Sequence, residues 1–130
     1  TVPPLILSET QDSDSETATI VAQYSKTEDC IRINLDYVNN YPRTSMSALC
    51  HEMRHRYQVM QVSLYDQLKK DKKYKDYMNM EMFETYKKEI KNYKTDYTDS
   101  QEEYRQQEVE KDANEYAGHQ MSEYLRFLVK

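Results

Sequence analysis

The chain of 130 residues has little that bends or staples a backbone: one Gly, three Pro and two Cys. Glycine and proline punctuate turns, and a many-stranded sheet needs many turns. Their scarcity argues against such a sheet and for long helices. Two cysteines, Cys30 and Cys50, cannot build a disulfide framework. They read as small buried apolar side chains, with a lean toward a reducing, cytoplasmic compartment. A basic excess is also missing. Eighteen Lys and Arg stand against 23 Asp and Glu, for a net charge of −5. That balance argues against a nucleic-acid partner. The one basic cluster, "KKDKKYK" from Lys69 to Lys75, reads as a solvated helix face. No apolar run approaches the roughly 18 residues of a membrane-spanning helix, so no membrane partner is expected.

What is present is charged and aromatic. Hydrophobic residues make up 38% and charged residues 32%, and 13 Tyr and 7 Met supply much of the apolar bulk. The length suits one compact domain with one core. Residues 1–16 end in the polar, acidic "SETQDSDSE" and read as a flexible leader. Residues 17–130 read as the domain. "TATIVAQYS" and "DCIRINLDYV" follow, the second alternating Ile31, Ile33 and Leu35 with polar residues. That period-2 pattern predicts two strands, most simply a β-hairpin. "NNYPR", Asn39 to Arg43, is turn chemistry, after which Thr44 or Ser45 can cap a helix. Met46, Leu49, Cys50, Met53, Tyr57 and Met60 then form an apolar stripe on a helix over about 45–62.

From Ser63 to Thr98 the chain is rich in Lys, Tyr and Met, without Gly or Pro. One or two helices are expected there, broken within Asp71–Asn79, with Tyr and Met filling the core. Ser100 and Glu103 form an S-x-x-E capping box, predicting a long helix from there to about Leu128. The fold class is therefore α+β: a mainly helical domain with a small N-terminal hairpin or sheet packed on the helix after it.

That helix carries "ALCHEMRHRYQ", in which His51, Glu52 and His55 spell H-E-x-x-H. Residues four apart share a helix face, so two imidazoles can converge on one point with a carboxylate beside it. A hydrolytic zinc needs that set: nitrogen ligands, and a base for the water it acidifies. A third ligand should come from another element. "EKDANEYA", Glu110 to Ala117, places Glu110, Ala113, Asn114 and Ala117 on one face. The two alanines let a second helix approach, Glu110 can reach a metal, and Asn114 can hydrogen-bond a ligand histidine. His119 lies about half a turn off that face and reads as a surface residue. Arg54 and Arg56 read as partners in surface salt bridges.

"HEMRH" followed by "EKDANEYA" resembles the gluzincins, metallopeptidases with H-E-x-x-H and a downstream Glu ligand. It is most similar to their ImmA/IrrE-type members, though Asp112 stands where their second motif carries Glu. The resemblance spans some 30 to 60 residues around the two motifs. It implies a zincin-like fold, a Zn2+ cofactor held by His51, His55 and Glu110, Glu52 as general base and Asn114 supporting a ligand. It also implies hydrolysis of a protein or peptide substrate. The alternative is a catalytically silent metal-binding module that binds a partner, and a third reading is a helical interaction protein without metal. The hairpin edge before the motif is the expected substrate-binding strand.

Overall fold

The computed structural model describes residues 4–8, 20–68, 80–94 and 101–128. The chain is α+β and mainly helical, and it divides into two compact units. One comprises Thr1–Arg56 and Asp112–Lys130, the other Tyr57–Lys111.

In the first unit three strands form a sheet: β1 (Leu5–Ser8), β2 (Ala22–Ser25) and β3 (Cys30–Asn34), in the order β1-β3-β2. The predicted hairpin is β2–β3, antiparallel with Tyr24 opposite Ile31. β1 pairs parallel with β3, Leu5 opposite Ile31. It lies inside the segment read as a leader, because "LILS" finds the open edge of β3. The middle strand is the buried one: Cys30, Ile31, Ile33 and Asn34 are each at most 5% exposed. The hairpin turn ends at Asp29, whose φ of 48° lies in the left-handed region that Asp tolerates better than most side chains.

The alternation in "DCIRINLDYV" predicts a strand to Val38, but the strand stops at Asn34. The Asn34 side chain accepts the N–H of Asp36 and caps a short helix, α1 (Leu35–Asn40). α2 (Pro42–Leu68) follows at once and is longer than the 45–62 expected. Pro42 stands at its first position, where a missing N–H costs nothing. Ser45 is therefore no cap; it is buried inside the helix, its N–H donating to the carbonyl of Tyr41. The apolar stripe of α2 is also not the buried face throughout. Its Met53, Tyr57 and Met60 are exposed, whereas Gln58 and Tyr65 are buried. Gln58 is held inward by its bond to the Val109 carbonyl, a contact that a hydrophobicity pattern does not weigh.

The second unit has its own core of Tyr65, Phe83, Tyr86 and Val109, with Val62, Met82 and Ile90 packed on it. This is the Tyr/Met filling expected of the insert. Phe83 meets Tyr86 edge to face at 6.2 Å, and the Tyr65 hydroxyl donates to Glu84 at 2.9 Å. Burying each such side chain contributes roughly 1.5–3 kcal/mol. α3 (Met80–Lys91) supplies most of this core. The Lys69–Lys75 run, the break within 71–79 and the cap Ser100 lie outside the described residues.

The single long helix expected after Ser100 is two: α4 (Gln101–Gln106) and α5 (Glu108–Leu128). They part at Gln107. Its side-chain amide accepts the Lys94 N–H and donates to the carbonyls of Lys94 and Tyr104, at 2.9, 2.9 and 3.0 Å. Both carboxylate oxygens of Glu89, on α3, accept the first amides of α5, from Glu108 and Val109. A helix start leaves those donors without intrahelical partners, so a carboxylate placed there caps a new helix.

Candidate metal centre

α2 sets His51 and His55 one turn apart on one face. Their Nε2 atoms stand 2.9 Å from each other, with the rings nearly perpendicular at 82°. The two lone-pair sites thus converge, as the i, i+4 spacing predicts. Glu110 lies in the first turn of α5. His51, His55 and Glu110 each offer one ligand atom, and these atoms lie within 4.8 Å of one another. The histidines are half-buried; Glu110 is 1% exposed. Two imidazole nitrogens and a buried carboxylate are a donor set that suits a divalent transition metal.

In each unit α2 is tied to α5 by a specific contact. In the first, Arg54 pairs with both oxygens of Asp112, at 2.8 and 3.2 Å, and lies over the ring of Tyr116. In the second, the buried Gln58 amide donates to the carbonyl of Val109 at 3.0 Å. Ala113 and Ala117 are buried on α5, as the small-residue face predicts. Asp112 thus has a job of its own: its shorter side chain meets Arg54.

Glu52 faces the sheet. Its Oε2 accepts the main-chain N–H of Tyr24 at 2.9 Å, on the outer side of the edge strand β2. One turn on, Arg56 pairs with both oxygens of Asp29, at 2.8 and 3.1 Å. Asp29 also accepts the Tyr24 hydroxyl at 2.8 Å. Glu52 and Arg56 therefore grip the hairpin at a strand amide and at its turn. The Arg56 guanidinium, with the Tyr24 hydroxyl, holds the Asp29 carboxyl below its ordinary range. Burial, and then the bond to Asp29, push the Tyr24 phenol up to about 12.

Beside His51 an open cleft of about 630 Å³ is lined by Ala22 of β2, by Arg43, His51 and Glu52 of α2, and by Asn114 and Gly118 of α5. Its size suits a small ligand or a short peptide segment. Asn114 is exposed in the cleft wall. His119 is exposed and stands outside the ligand group, as its offset implies. Cys30 is buried, while Cys50 is half-buried, its thiol pushed up by burial.

Tyr93 is a site residue the sequence did not single out. Its hydroxyl donates to Oε1 of Glu110. Burial raises its phenol well above the ordinary range, with Tyr104 and Glu110 adding to the shift. One of 13 tyrosines and 17 positions from Glu110, it carries no spacing signal. No helix among the described residues is long and apolar enough to cross a membrane. No family model, curated protein or solved structure matches the chain.

Proposed function

We propose that the chain is a zinc-dependent metallopeptidase of the zincin-like, gluzincin type, hydrolysing peptide bonds in a protein or peptide substrate. The observation that carries this reading is that His51 and His55, on an H-E-x-x-H helix, lie with Glu110 close enough to share one metal. These three side chains would hold the metal. When bound, zinc acidifies a water toward neutral pH and polarises the carbonyl to be cleaved. Glu52 is the base that takes the proton and passes it to the leaving nitrogen. The outer edge of β2 and the adjoining cleft offer main-chain partners to an extended peptide. Asn114, on the cleft wall, would hydrogen-bond a ligand histidine and fix its ring.

One observation favours a second reading. Oε2 of Glu52 is bonded to the Tyr24 amide, so the carboxylate is held on the hairpin. A metal-binding module with its base engaged in this way would serve protein–protein interaction without catalysis.

The test measures bound zinc and casein turnover for wild type, Glu52→Gln and Glu110→Ala. The peptidase reading expects about one zinc per wild-type chain. It expects Glu52→Gln to keep that zinc while turnover falls roughly 10²–10⁴-fold. Glu110→Ala should lose metal affinity first. Wild type that binds zinc and cleaves nothing across a broad substrate panel supports the silent module. Wild type that binds no more zinc than His51→Ala overturns both.

A further inference from the structure

We propose that Tyr93 is a positioning residue for the metal centre: its hydroxyl holds Oε1 of Glu110, so the carboxylate would offer a metal one oxygen rather than two. The inference rests on the metal reading above and adds what shapes its third ligand.

The geometry around Tyr93 is built, not incidental. The next residue, Lys94, has both its N–H and its C=O paired with the side-chain amide of Gln107, each at 2.9 Å. Gln107 in turn accepts the Glu110 N–H on its own main-chain carbonyl, at 3.1 Å. The segment carrying the hydroxyl and the turn carrying the carboxylate are thus joined through one residue. Glu89, four residues before Tyr93, caps the amides of Glu108 and Val109. The Tyr93 ring itself rests edge to face on Tyr104, with centroids 6.1 Å apart. The hydroxyl then donates to Oε1, while Oε2 of Glu110 is fully buried.

A ligand carboxylate that can turn offers a metal either one oxygen or two. A catalytic zinc takes three protein ligands and keeps a fourth position for water or substrate. A carboxylate closing on the ion with both oxygens would crowd that position. Engaging Oε1 in a hydrogen bond disfavours this and fixes the carboxylate plane, as outer partners of metal ligands generally do.

Tyr93→Phe keeps the ring and removes only the hydroxyl. Zinc affinity, read by competition with a chromophoric chelator, should fall about 10–100-fold. The visible spectrum of the Co2+-substituted protein should weaken, as four-coordination gives way to five. Tyr65→Phe is the control for a merely structural loss: it removes another hydroxyl–carboxylate bond in the same unit, one made to Glu84, and should change neither readout. X-ray absorption at the zinc edge of wild type gives an arm that needs no variant, with a one-oxygen carboxylate and four ligands expected. Unchanged affinity and cobalt spectrum in Tyr93→Phe, equal losses in Tyr65→Phe, or a two-oxygen carboxylate in wild type would each overturn the proposal while leaving the metal reading intact. Wild type that takes up no zinc overturns the metal reading itself, and this proposal with it.

Discussion

Single side chains in this protein do work that their residue type alone does not announce. Glu52 and Arg56 repeat the i, i+4 spacing of His51 and His55, one position along the helix, so one turn of α2 addresses two targets. The histidines meet Glu110, and their neighbours hold the hairpin. Tyr24 joins that hold through its hydroxyl, which gives it a testable titration. A phenol raised in the folded state stabilises the fold fully below its unfolded value of 10.0, and that stability is lost as pH rises through about 12. The difference between phenolate titrations of wild type and Tyr24→Phe should be centred near pH 12. A difference curve centred near 10 would show that neither the burial of the phenol nor its bond to Asp29 persists in solution.

Elements were legible where local rules decide them. Ile31 and Ile33 alternate with polar residues, and a strand forms; H-E-x-x-H sits in a stretch without breakers, and a helix forms. Boundaries failed where a partner distant in sequence decides. Nothing near Gln107 requires a break, yet Lys94 claims its side chain and Glu89 caps the amides after it. β1 was missed for the same reason, since its pairing partner is 26 positions away (Leu5 with Ile31). The cap gives a prediction at this scale. Glu89→Ala leaves two amides at the start of α5 uncapped and should cost about 0.5–2 kcal/mol, the usual loss for a helix cap. Chemical denaturation reads that directly. Because Glu110 lies in the same turn, zinc affinity should fall alongside, and a variant with wild-type stability and affinity would show the cap to be idle.

At the scale of the whole chain, composition was a sound guide to class: few breakers and abundant Tyr gave a mainly helical α+β fold. The candidate ligands were legible because chemistry fixes their spacing, and His51, His55 and Glu110 do come together. Tyr93 was not, because a hydrogen bond to a ligand can come from any element. If those three residues hold zinc, binding adds to the stability of the fold by mass action. At zinc one hundredfold above its dissociation constant the gain is about 2.7 kcal/mol. For a chain of this length that raises the thermal midpoint by roughly ten degrees. Calorimetry with and without zinc should show the rise in wild type and none in His51→Ala. Equal rises in both would place the metal elsewhere.

The bond from the Tyr24 amide to Glu52 turns a main-chain proton into a clock. On the outer side of an edge strand an amide ordinarily trades its hydrogen with solvent quickly. Here the trade waits on the carboxylate's departure. How long deuterium takes to enter at Tyr24 therefore records how often Glu52 leaves the hairpin, with no substrate and no metal in the tube.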